Sequence, residues 1–170
     1  MTRNGKFGTV DITVLGDELK VGDKAPDFVA NKMDLSPYNF YEEEGYKIKI
    51  ISVVPSLDTD VCELQTKMFQ KATEFLSDDV MILTVSNDLP FAQIRFKKNK
   101  KADQIKFVSD YNTRDFSNKY GTLIEELKLL NRSVFVIDKD NTIKYVQYLK
   151  QNTDLPEYEE AIKIAKELSK

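Results

Sequence analysis

Short apolar runs alternate with helical periodicities along this chain. Ile48, Ile50, Ile51, Val53 and Val54 form a run of the kind shown by a strand buried on both faces. After the polar corner Pro55-Ser56-Leu57-Asp58-Thr59-Asp60, the residues Val61, Leu64, Met68, Phe69, Ala72, Phe75 and Leu76 recur at helical spacing and predict a helix. Ser77-Asp78-Asp79 closes the turn, and Val80 to Val85 gives a second buried strand. Strand, helix and strand in that order predict a right-handed crossover and a parallel pair.

Before this unit, residues 5–15 alternate Val10, Ile12 and Val14 against Asp11 and Thr13 between glycines, which predicts a small hairpin. Val21 to Phe40 carries turn signals around short apolar pieces and reads as extended segment and loop. Glu42-Glu43-Glu44-Gly45 reads as a solvated turn. Beyond the second strand, Asn87-Asp88-Leu89-Pro90 predicts the cap of a helix through Phe91, Ile94, Arg95 and Phe96, with proline near its first turn where it is tolerated. Lys97-Lys98-Asn99-Lys100-Lys101 reads as its solvated end, favourable against the helix dipole. Ile105 to Val108 is a short strand, Asp115 to Tyr120 a short helix stopped by Gly121, and Leu123 to Leu130 a loop or broken helix. Val134 to Ile137 and Ile143 to Leu149 predict an antiparallel hairpin across a polar turn, and Leu155 to Leu168 an amphipathic helix. The order describes a mixed α/β sheet with helices on both faces and an N-terminal β-hairpin, the thioredoxin-like arrangement.

The 170 residues, 41% of them hydrophobic, fit one domain over 1–170 that buries roughly 70% of its unfolded surface. A net charge of −3 argues against a nucleic-acid surface. No apolar run reaches the roughly 18 residues of a membrane span, and the N-terminus lacks a signal-peptide core, so the expected location is the cytoplasm. The chain has no histidine and one cysteine. That removes imidazole as base or metal ligand and any internal disulfide, and no metal or cofactor site is expected.

The lone Cys62 falls in the first turn of the predicted helix, where the helix terminus favours the thiolate a nucleophile needs. Asp58, Asp60 and Glu63 oppose that charge. Two remedies are expected: the carboxylates cap the helix and face water, Asp60 and Glu63 having the spacing of a capping box, and an arginine arrives from elsewhere. Thr59 reads equally as a plain N-cap and as a hydroxyl aimed at the sulfur or a bound oxygen. Pro55 ends the strand and stiffens the turn. On these residues alone, Cys62 is as readily an inert core thiol as a nucleophile.

Pro55-x-x-x-Thr59-x-x-Cys62 resembles the active-site signature of the peroxiredoxins, thiol-dependent peroxidases on a thioredoxin-like fold. In order and spacing, Ser52 to Thr59, Asp88 to Phe96 and Arg132 to Asp138 resemble the bacterial thiol peroxidase subfamily over nearly the whole chain. The resemblance implies that Cys62 attacks a peroxide and becomes a sulfenic acid, that Thr59 orients sulfur and peroxide, that Arg132 supplies the missing cation, and that Pro55 shields the pocket. It implies hydrogen peroxide and alkyl hydroperoxides as substrates and a homodimer packed near the site. Members of the family it resembles usually carry a second, resolving cysteine where this chain has Lys97. A one-cysteine enzyme is therefore expected, regenerated by an external thiol, either thioredoxin or a low-molecular-weight thiol. The alternative is a redox sensor that passes a mixed disulfide to a partner with little turnover.

Overall fold

The computed structural model describes residues 1–170. Two strands open the chain, β1 (Thr2–Phe7) and β2 (Val10–Leu15), and two short ones follow, β3 (Val29–Lys32) and β4 (Pro37–Asn39), leading into α1 (Phe40–Glu44). The central unit is β5 (Ile48–Val53), α2 (Asp60–Ala72), β6 (Val80–Ser86), α3 (Pro90–Lys100) and β7 (Lys106–Ser109). The chain ends with α4 (Asp115–Tyr120), β8 (Leu123–Ile124), β9 (Ser133–Ile137), β10 (Ile143–Tyr148) and α5 (Tyr158–Leu168).

Seven strands form one mixed sheet in the order β10-β9-β5-β6-β7-β3-β4. The β5–β6 and β6–β7 pairs are parallel and the others antiparallel. The predicted crossover, the β9–β10 hairpin and the N-terminal hairpin are all present. The last extends to Thr2 and joins β8 in a separate three-stranded sheet.

Alternation along β5 divides the core in two. Ile48 and Ile50 face a cluster completed by Phe69 of α2, Phe96 of α3, and Ala161 and Ala165 of α5. Ile51 and Val53 face the opposite cluster, built on Phe40, Phe116, Tyr120 and Phe135. Phe116 and Tyr120 stack with ring centroids 4.3 Å apart. Behind them, Gly121 ends α4 in the left-handed region (φ 65°), and a Cβ there would lie 2.3 Å from the Asp17 carbonyl oxygen, so no larger residue fits.

Several sequence expectations are corrected. The segment 21–40 contains β3 and β4, whose pairing extends the sheet edge. Leu123 and Ile124, expected in a loop or broken helix, form β8 against Val14 and Leu15. Helix α2 ends at Ala72, short of Leu76, and its inward face follows the apolar spacing only in part: Phe69 and Ala72 are shared, but polar residues replace Leu64. Cys62, Gln65, Thr66, Phe69 and Ala72 are buried, while Leu64 and Phe75 are exposed.

The predicted solvated turn at Glu42-Glu43-Glu44 is the helix α1, and the Glu44 side chain is fully buried. Its carboxylate accepts from Tyr38 Oη at 2.9 Å, Lys47 Nζ at 3.1 Å and Lys106 Nζ at 2.6 Å. Burial pushes the Glu44 carboxyl upward, but the bonds from Lys106, Tyr38 and Lys47 outweigh it and hold the group below its usual range. A carboxylate depressed on folding contributes stability above its unfolded value, and this is lost as pH falls toward the folded one. Glu44→Gln is therefore expected to cost about 2–3 kcal/mol at neutral pH. In urea titrations the gap from wild type should narrow below about pH 4.

Candidate active site

Strand β5 delivers the chain to the corner that precedes α2. Val54 N–H donates to the Val85 carbonyl at 3.1 Å, which keeps the corner in register with β6. Pro55 is buried at the turn and has no N–H to leave unpaired there. Asp88 fixes the next residues. It does not cap α3, whose N-cap Leu89 makes no side-chain bond. Instead its carboxylate accepts from Ser56 Oγ at 3.0 Å and Leu57 N–H at 2.8 Å. A side chain from the β6–α3 connection thus holds the loop that enters the cysteine helix.

Thr59 is the N-cap of α2, in extended conformation, and its Oγ1 accepts from Cys62 N–H at 3.3 Å. The expected Asp60–Glu63 capping box is not formed, because Thr59 occupies the cap. Asp60 is exposed, and Glu63 pairs with Lys100 at 2.9 Å. Thr59 Oγ1 also donates to the Ser56 carbonyl at 3.1 Å, so its proton points back into the loop. The cap reading of Thr59 is the one this conformation displays.

Cys62 has no solvent exposure and belongs to the cluster of Val54, Leu57, Phe69 and Phe96. Its carbonyl accepts from Thr66 Oγ1 at 2.9 Å. One turn further along the buried face lies Gln65. Gln65 Nε2 donates to Ser52 Oγ at 2.7 Å, and Gln65 Oε1 accepts from Arg132 Nη1 at 2.9 Å.

Arg132 precedes β9 and is 1% exposed. Its Nε donates to the Asn152 carbonyl at 2.8 Å, and its own N–H donates to Asn152 Oδ1 at 2.6 Å. Asn152 in turn donates to the Lys6 carbonyl at 3.1 Å, tying the N-terminal hairpin to this network. The protein's ion pairs all lie elsewhere, so the buried guanidinium meets only neutral oxygens. Of its five N–H donors, two are used this way.

The fold thus gathers Pro55, Thr59 and Cys62 on one corner and brings Arg132 to the Cys62 helix through Gln65. Sequence reasoning missed Gln65 and Asn152 and read Asp88 as a helix cap rather than as the anchor of the Ser56–Leu57 loop. For Gln65 a signal existed: it lies three residues beyond Cys62, on the face the thiol shares. Lys97, where the sequence resemblance implies a resolving cysteine, sits in the last turn of α3.

A thioredoxin-like sheet with one cysteine at a threonine-capped helix start defines the class of thioredoxin-fold thiol proteins. The family profile described as Redoxin matches residues 20–162. A thiol peroxidase of Halalkalibacterium halodurans is 48% identical over 155 residues, covering 91% of this chain and 92% of the relative. The thiol peroxidase of Bacillus subtilis is 42% identical over 159 residues, 94% of each. Among solved structures, the crystal structure of a peroxiredoxin-like protein from Aquifex aeolicus matches with a TM-score of 0.86 and 38% identity, over 98% of this chain and 97% of that one. The chain belongs to the redoxin family, among its bacterial thiol peroxidases.

Proposed function

We propose that the chain is a one-cysteine thiol peroxidase, folded as one domain, that reduces hydrogen peroxide and alkyl hydroperoxides at Cys62. The observation that carries the reading of the site is the state of Arg132. A buried cation without a carboxylate is costly, and one held by Gln65, a helical turn from the lone cysteine, has a use once a thiolate or a departing oxyanion is present.

In this reading the Cys62 thiolate attacks the terminal peroxide oxygen. An S–O bond forms, the O–O bond breaks, and the leaving alkoxide or hydroxide takes a proton to become alcohol or water. Arg132 offsets the negative charge shared by sulfur and the separating oxygens. The Thr59 hydroxyl hydrogen can rotate from the Ser56 carbonyl toward the peroxide, and the buried Pro55 keeps water from the corner. Because Cys62 is fully covered, peroxide entry requires the Pro55–Thr59 loop or the first turn of α2 to open.

The sulfenic acid is then reduced by an external thiol, since the chain holds no second cysteine. The test is the number of equivalents consumed. With dithiothreitol in excess, consumption is expected to continue through many turnovers, whereas a halt after one equivalent would favour the sensor. The sensor reading itself is not favoured by relatives that bear an enzyme's name.

A cytoplasmic homodimer completes the proposal. No helix is long and apolar enough to cross a membrane. The start of α3, next to the Asp88 anchor, exposes Leu89 at 51%, Phe91 at 62% and Ile94 at 44%, an apolar face that a dimer would cover. Phe91→Asp is expected to shift the sedimentation coefficient from dimer to monomer. A wild-type protein that sediments as a monomer at tens of micromolar would remove the dimer from the proposal.

A further inference from the structure

The cycle proposed above leaves one reactant unplaced, the external thiol. A cleft of about 280 Å³ lies between α2 and α3, with Thr66 and Phe96 in its wall. A recess of about 200 Å³ shares Glu63, Phe96 and Lys100 with it and reaches Leu57. These groups border the surroundings of the thiol. Thr66 donates to the Cys62 carbonyl, Glu63 follows Cys62 in the chain, and Leu57 and Phe96 belong to the buried cluster of Cys62.

Charge sets this cleft apart. The chain carries −3 overall, yet cleft and recess together are lined by four cations, Lys67, Arg95, Lys100 and Lys101, against two carboxylates, Asp58 and Glu63. Glu63 is engaged with Lys100, while Lys67, Arg95 and Lys101 enter no ion pair. The basic run that reads as a helix end is one, but Lys100 and Lys101 also form a wall of this cleft.

The volume lies just below the usual range of small-molecule sites, about 300–1,000 Å³, so the occupant is small. Only two of the nine residues lining the larger cleft are hydrophobic, and lysine is depleted at protein interfaces. A small anion fits this surface better than a protein.

We propose that the cleft between α2 and α3 is the docking site of the reducing thiol, and that this thiol is a small molecule bearing carboxylates. The inference rests on the peroxidase reading. Cys62 is covered and lines neither space, so the docked thiolate attacks its sulfenic sulfur when the first turn of α2 opens, as for peroxide. An S–S bond forms, the S–O bond breaks, and the departing hydroxide takes a proton to become water. A second thiolate attacks the small molecule's sulfur in the mixed disulfide and releases the Cys62 thiolate and the symmetric disulfide. One peroxide and two thiols thus give one alcohol or water, one further water and one disulfide.

The test measures kcat/KM for mercaptosuccinate, 2-mercaptoethanol and cysteamine at saturating hydrogen peroxide, in wild type, Lys67→Glu/Lys101→Glu and the α5 surface control Lys163→Glu. The ratio of mercaptosuccinate to 2-mercaptoethanol is expected to fall about tenfold in the double variant, as removal and reversal of two cations at a partly exposed site should give. The cysteamine ratio should rise, and Lys163→Glu should leave both ratios as in wild type. Unchanged ratios in the double variant overturn the docking site, as does turnover supported by thioredoxin but by none of the three small thiols. A pre-steady-state burst, measured before any thiol is added, separates this from failure of the peroxidase reading. Without a burst of peroxide consumption at Cys62, both fall together.

Discussion

Replacement of Cys62 by serine is expected to lower thiol-dependent peroxide consumption more than about a thousandfold, to the background of the reductant alone. Serine keeps nearly the same volume, and the Thr59 cap to the residue-62 N–H and the Thr66 bond to its carbonyl involve the backbone, so they persist. The loss is therefore chemical. A serine hydroxyl ionises far above neutral pH and yields no product that a thiol can reduce. No other thiol stands in, because the chain has none, and its four methionines form sulfoxides that dithiothreitol does not turn over at a comparable rate. Seating a hydroxyl in the cluster of Val54, Leu57 and Phe69 should cost about 1–2 kcal/mol. A urea titration checks that the variant is folded where its activity is read, and Cys62→Ala, without the buried hydroxyl, should be equally inactive.

The second large effect is expected at Arg132. Arg132→Met should slow the reaction of Cys62 with peroxide by about 10²–10³-fold, the loss typical of removing one charge-stabilising donor. Stability should move much less, within about 2 kcal/mol, because two changes oppose each other. The methionine leaves Gln65 Oε1 and the Asn152 carbonyl without their donor, which is unfavourable. It also removes a buried charge that no carboxylate offsets, which is favourable. Arg132→Lys should fall between, since one ammonium cannot reproduce the fork that reaches both Gln65 and Asn152. Stopped-flow peroxide kinetics beside equilibrium unfolding reads both quantities. A rate unchanged in Arg132→Met would remove Arg132 from the chemistry and leave it a structural clamp.

These expectations rest partly on features visible in the sequence. Strands β5 and β9 are buried along their whole length, so they appear as dense apolar runs in which Lys49, Ser52 and Ser133 are the only polar residues, and the corner from Pro55 to Cys62 stands out between such a run and a helical periodicity. Elements with little apolar content were harder to read. Strands β3 and β4 have four and three residues, one of them Pro37, and exist because β7 offers an edge.

Glu44 looked like part of a solvated charge run because its partner Lys106 lies 62 residues away. Asp88 looked like a helix cap because Leu57, whose N–H it accepts, is 31 residues distant. The buried face of α2 departs from its apolar spacing for a related reason. Its inward positions include Gln65 and Thr66, whose polarity is satisfied by Arg132, Ser52 and the Cys62 carbonyl. Local spacing cannot foresee such long-range satisfaction, and in this chain it determines much of the candidate site. In the sequence, three motifs in register carry the peroxidatic reading of Cys62, whereas the spacing around the thiol leaves it open.

The most direct test of the central claim is to give the reduced protein one equivalent of hydrogen peroxide with dimedone present, then locate the adduct by peptide mass spectrometry. The account predicts stoichiometric loss of peroxide and a single dimedone adduct, on Cys62. Peroxide left unconsumed, or oxidation confined to methionine with Cys62 still a free thiol, would contradict it.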